Sequence, residues 1–496
     1  MRENAEAASG IARLIDGAIV VCLFLFVLFA PHSIAVTQGA WILGMALWVL
    51  RFAFRPRPVV QRTPVDYLML GFFIVTGLSA FLSYEPAVSI GKLRAASLFT
   101  IIYLFAQNVP SLRVVRILAV TLVASSMLSV FYTAGERVVG RGVKVSGVAA
   151  DSPLYLAGIR DGDTLLKVDG RELDDPEELV DALSQSGEPA SVPGYRHELL
   201  PIFKVPRQSL KAGSTAVEQL GIQSWSRGRD WRAAGLYGHY VTYSEVLQLV
   251  IALALGLLMS LPVKRSWWGL LFVASVLGLL FALALTFTRA SWLGCVVSSL
   301  LILLLTLRRR SLVAVGLLLV PLVLTGLFVL QQKRNVGFLD QKDQSTTWRT
   351  TVWREGFHLL VSKPRHLLVG IGMDSIKRRW RAWGMFDGGR IPMGHMHSNL
   401  LQIALERGVP ALLLWLGLLF VYARALWRAI RRGPSRHWIE RGILIGALGG
   451  LAGFFSSGLV HYNWGDSEVV MVFYLIMGLA LVVERSRETS TGVLMG

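Results

Sequence analysis

Long apolar runs alternate with short polar breaks along most of this chain. Runs of about 17–25 residues, the length that crosses a bilayer, fall near 13–30, 35–51, 66–83, 91–108, 114–133, 239–261, 267–287, 290–307, 311–330, 409–427, 441–461 and 467–484. They predict about twelve transmembrane helices, with ends placed to within a few residues. Two polar stretches, 134–238 and 331–408, are much longer than the other breaks.

The short breaks set an orientation. Arg51, Arg55, Arg57 and Arg62 follow the second run, and Arg113 and Arg116 the fourth. Lys264 and Arg265 follow the sixth, Arg308, Arg309 and Arg310 the eighth, and Arg428, Arg431, Arg432 and Arg436 the tenth. Basic residues gather on the cytoplasmic side. Both termini are therefore expected in the cytoplasm, and both long polar stretches outside it. The first apolar run has no small-residue cleavage site after it, so it is expected to stay as a helix.

Composition narrows the class. Of the 496 residues, 53% are hydrophobic and only 17% charged, and the mean hydropathy is +0.53. That balance points to a polytopic membrane protein. The net charge of +18 is then first a matter of basic loops, and no nucleic-acid partner is expected. Cys22 and Cys295 both lie inside apolar runs, which argues against a disulfide or a metal–thiolate site.

The stretch 134–238 reads as a domain. Of the chain's 32 acidic residues, 13 lie between 136 and 212. Val143–Val145 reads as a strand, Ser152-Pro153 as a helix start, Thr164–Val168 as a strand and Asp169-Gly170 as a tight turn. Residues Glu177–Leu183 form an amphipathic helical pattern. The series Ser152-Pro153-x-x-x-Ala157-Gly158, Gly162-Asp163 and Val168-Asp169-Gly170 resembles a bacterial PDZ domain. Such a domain takes an extended peptide by strand addition; the other reading is a spacer. After Leu183 the likeness fades, because Pro193, Pro201 and Pro206 suit a core strand poorly. The expected small α/β domain, 136–212, sits between helices five and six.

The second polar stretch is basic. Between 331 and 397 there are 12 Lys or Arg against five acids. Long outer loops largely escape topological selection on charge, so such a bias suits anionic lipids or substrates. Trp348, Trp353, Trp380 and Trp383 lie among the cations, as interfacial anchors or as stacking surfaces for sugars. The stretch ends in Gly394-His395-Met396-His397-Ser398-Asn399-Leu400-Leu401-Gln402. Leu400, Leu401, Ala404 and Leu405 follow at helical spacing, which puts His397 at the mouth of a helix entering the bilayer. Two further cations stand out. Arg289 lies where the seventh and eighth runs meet, an expensive place for charge and so a functional candidate. Arg232 lies just before the sixth run. Their alternative roles are a snorkelling end-cap for Arg289 and a purely structural side chain for Arg232.

In order along the chain come Thr288-Arg289-Ala290-Ser291-Trp292, then Arg349-x-x-x-Trp353, then Lys363-Pro364 with Gly370-Ile371-Gly372. His397-Ser398-Asn399-Leu400-Leu401-Gln402 and Glu406-Arg407-Gly408 complete the set. This ordered set resembles the O-antigen ligase family, which shares its core with O-antigen polymerases and some bacterial O-linked oligosaccharyltransferases. The resemblance implies a GT-C-like ligase fold in a bacterial inner membrane, with the active site facing the periplasm. The implied parts are helices 1–5 over 1–133, helices 6–9 over 213–330, a catalytic loop over 331–408 and helices 10–12 over 409–496. It implies a donor glycan on undecaprenyl diphosphate and an acceptor such as lipid A–core or another glycan. By motif, Arg289 and Arg349, with Arg232 beside them, would hold the diphosphate, and His397 would be the catalytic histidine.

The chemistry fits independently. Negative charge builds on a diphosphate leaving group, and fixed guanidiniums lower that barrier. The acceptor hydroxyl loses a proton on attack, which a histidine can take. The outer loops show no paired carboxylates for Mg²⁺, and His395-x-His397 has no third ligand by spacing, so no metal or other cofactor is expected. A structural His397 that caps its helix is the alternative. Ligation is the first expectation, polymerisation and protein glycosylation the alternatives. Membrane lipids and a peptide at the PDZ-like domain are the other expected partners. A transporter would need more ionisable residues in its spans than Arg289 and Glu245. A PDZ-bearing intramembrane metalloprotease would need His-Glu-x-x-His, which is absent.

Overall fold

The structure, a computed structural model, describes residues 2–196, 200–314, 317, 344–432 and 437–495. Most of the ninth apolar run, and Lys333, Arg334 and Lys342 of the basic loop, lie outside them. The chain forms two compact units. One comprises Met1–Ser129, Leu236–Ala284 and Thr288–Gly496; the other comprises Val130–Gly235 with Leu285–Phe287.

The first unit is helical. Its helices are α1 (Arg2–Phe29), α2 (Ile34–Arg51), α3 (Asp66–Phe81), the broken series α4 (Pro86–Gly91), α5 (Leu93–Ala96) and α6 (Thr100–Asn108), and α7 (Leu112–Val139), which runs on into the second unit. Among the described residues ten helices are long and apolar enough to cross a membrane, and α3 is a shorter apolar one. The protein is thus a multi-pass helical membrane protein. Local chemistry sets the ends of these helices. At the start of α2, the Ser33 hydroxyl accepts from the Val36 N–H. At its end, Arg51 donates to Asp16 at 2.8 Å and to the carbonyls of Phe54 and Pro56, which ties the turn that follows to the last residue of the helix.

The second unit is built on a five-stranded antiparallel sheet. Its strands are β1 (Val143–Ser146), β2 (Thr164–Leu165), β5 (Ala190–Tyr195), β6 (Ile202–Val205) and β7 (Ser224–Arg227), in the order β6-β5-β2-β1-β7. A separate ribbon pairs β3 (Lys167–Val168) with β4 (Arg171–Glu172). Helices α8 (Pro153–Leu156), α9 (Pro176–Ser184) and α10 (Ala216–Leu220) complete it. Val143, Val145, Leu165, Leu179, Leu183, Val192 and Val205 form its core. The sheet continues past Leu183 despite the prolines. Pro193 lies opposite Ile202 within β5, and its carbonyl accepts from the Leu166 N–H at 2.9 Å. Both edges of β1 are paired, to β2 and to β7.

The remaining helices of the first unit are α11 (Tyr240–Ser260), α12 (Trp267–Leu285), α13 (Arg289–Thr306), α14 (Gln344–Val361), α15 (Pro364–Val369), α16 (Ile376–Arg379), α17 (Asn399–Arg431), α18 (Trp438–Gly458) and α19 (Ser467–Met495). α11 and α18 cross at backbone contact. A Cβ on Gly256 would stand 2.5 Å from the Gly442 carbonyl oxygen, so only small residues allow this approach. α17 begins directly after the histidine segment and bends at Gly408, where φ is 83° and ψ 165°. The bend takes the Leu405 and Glu406 carbonyls out of the helical ladder. They accept instead from the N–H groups of Ile371 and Gly372, both at 2.9 Å, and Glu406 also from Ser79 at 2.8 Å. The Gly370-Ile371-Gly372 motif thus serves as the splint for the bend in α17.

Candidate active site

Arg349 and Trp353 are four residues apart and so share one face of α14. Trp353 Nε1 donates to the Met396 carbonyl at 2.7 Å. Trp348, next to Arg349, donates to the Pro392 carbonyl at 3.0 Å and meets the His397 ring edge-on, centroids 4.8 Å apart. Gln402 accepts from the Met396 N–H at 2.7 Å. The tryptophans of this loop therefore fix the histidine segment. His397 itself has φ 45°, a left-handed conformation that non-glycine residues seldom adopt and that clusters at functional sites.

Four of the nine histidines converge here. The His397 ring lies 4.3 Å from His395 and 5.5 Å from His461 between centroids, and His395 lies 5.9 Å from His461. His239 is near enough to act electrostatically on His395 and His461. It faces Thr242 at 3.3 Å, which donates to Asp466 at 2.6 Å. Burial, reinforced by His395, His461 and the Arg349 guanidinium, pushes His397 down to about 2. Burial, with His395, Arg349 and His239 behind it, takes His461 to about 3. His395 falls to about 4, through burial and Lys377, against the opposing pull of Asp374 and Asp466. At neutral pH all three are uncharged imidazoles. The Nδ1 atoms of His397 and His461 are buried without a hydrogen-bond partner.

Next to the histidines lies a cavity of about 150 Å³. Tyr462 connects the two: its ring lies 5.5 Å from that of His395, and it lines the cavity. Lys92, Asp374, Glu406 and Arg407 supply the cavity's polar rim; Met69, Phe72, Phe99, Val470 and Tyr474 supply an apolar wall. Lys92 pairs with Asp374 at 2.8 Å, and buried Arg407 with Glu406 at 3.2 Å. Arg407 Nε has no partner.

The structure treats the residues singled out in the sequence differently. Arg349 and His397 come together. Arg289 opens α13 after Thr288, and its helix start is tied to the histidines by a buried polar chain. Ser291 donates to Glu245 at 3.1 Å, Asn463 donates to Glu245 at 3.3 Å, and Asn399 donates to Asn463 at 2.6 Å. Arg232 belongs to the second unit, where it donates to the carbonyls of Thr286, at 3.0 Å, and Phe287. His461, His239, Tyr462 and Asp466 were not foreseen. For His461, Tyr462 and Asp466 the signal was the polar break His461-Tyr462-Asn463-Trp464-Gly465-Asp466 between two apolar runs; His239 stands alone at the start of α11.

Residues 274–416 match the family model described as O-Antigen ligase, which takes in Arg289, Arg349 and His397. The chain carries an O-antigen ligase domain. Residues 144–192 match that of the PDZ domain, so a PDZ domain is inserted ahead of the ligase domain. His461 lies outside the matched ligase residues. Two curated relatives are similar over short stretches. "Magnetosome formation protease MamE" of Magnetospirillum gryphiswaldense is 36% identical over 85 residues, 17% of this chain and 11% of that protein. Its namesake in Paramagnetospirillum magneticum is 58% identical over 41 residues, 8% of this chain and 6% of that protein. This chain therefore spans only a small part of either relative.

Proposed function

We propose that the protein moves a glycan from undecaprenyl diphosphate to an acceptor hydroxyl at the periplasmic face of the inner membrane, with ligation to lipid A–core as the first choice. The observation that carries this reading is the meeting of Arg349 with the uncharged imidazole of His397 inside the matched ligase residues, with His461 beside them. In this reading Arg289 and Arg349 hold the diphosphate and stabilise the charge that builds on it. The buried Nδ1 of His397 takes the proton of the attacking hydroxyl. A free His397 held near 2 is a weak base, but the arriving diphosphate reverses the local field and raises its affinity for a proton. The basic residues of the 344–398 segment draw in anionic lipid carriers. No step here calls on a metal ion.

Polymerisation of the same glycan and transfer to protein share this chemistry and differ only in acceptor. A peptide at the PDZ domain would serve the last of these. Since β1 is paired on both sides, such a peptide would add to the free edge of β7. Reconstitution in liposomes with an undecaprenyl-diphosphate glycan, offered lipid A–core, a second donor glycan or a polypeptide, tests the reading. A glycan-modified lipid A–core supports it. A protein that transfers to none of the three is not this enzyme.

A further inference from the structure

The segment between α18 and α19 repeats a short pattern found before α17. His397-Ser398-Asn399 is matched by His461-Tyr462-Asn463. The two asparagines bond to each other, Asn399 Nδ2 to Asn463 Oδ1 at 2.6 Å. Asn399 Oδ1 also accepts from the Trp464 N–H at 3.1 Å. Asn463 Nδ2 reaches the carbonyl of Phe454 at 3.0 Å and the hydroxyl of Ser457 at 2.9 Å, besides Glu245. Both asparagines are buried. Two residues before each stands a histidine, and those two rings meet with centroids 5.5 Å apart and planes at 72°. The asparagine pair therefore fixes one imidazole against the other.

Neither imidazole is used by the fold at Nδ1. Both atoms are buried and lack a partner, which is costly unless something else binds there. A helix-capping or core histidine would have bonded its nitrogen to the chain. Two unpartnered ring nitrogens, on rings whose centroids lie 5.5 Å apart, suit two hydroxyl groups. A lone serine or threonine hydroxyl satisfies one of them and leaves the other bare. A sugar with adjacent hydroxyls satisfies both.

We infer that His461 is a substrate-binding partner of His397, and that the pair seats two neighbouring hydroxyls of a sugar acceptor. This rests on the glycosyltransferase reading and adds to it the class of acceptor. His397 takes the proton of the attacking hydroxyl as its oxygen bonds to the anomeric carbon. The bond from that carbon to the diphosphate breaks, and its electron pair leaves on the diphosphate oxygen. His461 holds the adjacent hydroxyl, which does not react, and so sets which oxygen attacks. A site built for a hydroxyl discriminates strongly against an acceptor that lacks it.

The test pairs a residue with a hydroxyl. Wild type, His461→Ala and His461→Gln are assayed in liposomes on the glycan acceptor that wild type uses, and on its analogue lacking the neighbouring hydroxyl. Wild type should lose about 100-fold or more in kcat/KM on the deoxy acceptor. His461→Ala should lose a comparable factor on the full acceptor and treat the two acceptors alike. An equal deoxy penalty in both proteins, or a wild-type rate in His461→Ala, overturns the inference. A merely structural His461 would lower both acceptors together and lower the melting temperature, and His461→Gln controls for lost packing. Binding offers a readout without turnover. Methyl glucoside should slow diethyl pyrocarbonate modification of both His397 and His461, read by mass spectrometry, and a 3-deoxy control should protect less. Protection of His397 alone also overturns it. Failure of wild type to transfer any glycan would sink the proposed function instead, and the protection experiment would still decide the seat.

Discussion

His397 combines a left-handed backbone, a buried ring and an unpartnered nitrogen, three features that cost free energy and gain the fold nothing. Replacing it should therefore hurt turnover more than stability. His397→Ala, Arg349→Ala and Arg289→Ala are each expected to lower glycan transfer by about 10²-fold or more, with normal membrane insertion. Normal capping of lipopolysaccharide in any one of them removes that residue from the mechanism. The three depressed histidines also make a pH prediction. Their folded-state values, about 4, 2 and 3 for His395, His397 and His461, lie below the ordinary 6.5. The unfolded chain then binds more protons, so their contribution is complete above about pH 6.5 and is lost as pH falls toward those values. At pH 5.5 the loss is about 1 kcal/mol for each histidine. The melting temperature should drop between pH 7 and 5.5, and a triple His→Gln variant should flatten that dependence. The place of His397 at the mouth of a helix was legible in the sequence, since two histidines one residue apart stood before helical spacing. The place of His461 beside it was not. It stands alone in its segment, and only its partner across the fold gives it meaning.

At the scale of elements, α17 is the organiser. Its first residue, Asn399, carries the bond to Asn463, and its bend at Gly408 presents two carbonyls to the Gly370–Gly372 segment. Interhelical polar bonds of this kind are worth about 1 kcal/mol inside a membrane. Asn463→Ala also removes the bonds to Phe454, Ser457 and Glu245, so it should cost about 2–4 kcal/mol in stability and lower kcat as well, because it frees the two imidazoles to move apart. An Asn463→Ala enzyme with full activity would show that the bond does not position the site. Gly408→Ala is expected to fold poorly, since an added Cβ would stand 2.4 Å from the Leu368 carbonyl oxygen. The start of α17 could be read from the spacing of Leu400, Leu401, Ala404 and Leu405. Its bend could not, because Glu406-Arg407-Gly408 looks like an ordinary turn of helix until the carbonyls it releases find their partners.

For the whole molecule, the insertion of a PDZ domain into a ligase chain raises the question of its use. The ends of the sheet domain meet: the Arg141 N–H donates to the Gly228 carbonyl at 2.9 Å, and the Gly228 N–H to that of Gly142 at 3.3 Å. Residues 141–228 can thus be replaced by a short linker. Such a protein is expected to keep transfer in liposomes with saturating acceptor and to lose efficiency in the cell. Complete loss of transfer in a folded, inserted protein would place the domain in the catalytic machinery. Purified full-length enzyme is also expected to work in EDTA; activity lost there and restored by a divalent ion would contradict a metal-independent reaction.

The apolar rhythm by itself determined that the chain is a multi-pass helical membrane protein, because burying a hydrogen-bonded backbone in lipid leaves few other solutions. The Ser-Pro, Gly-Asp and Asp-Gly signals likewise determined the inserted domain, because tight turns demand those residues. Tertiary structure alone decided which histidines face one another, that the aromatic residues of the basic loop hold its backbone, and that β1 has no free edge. These depend on contacts between residues up to hundreds of positions apart. No local pattern encodes such a contact; packing does.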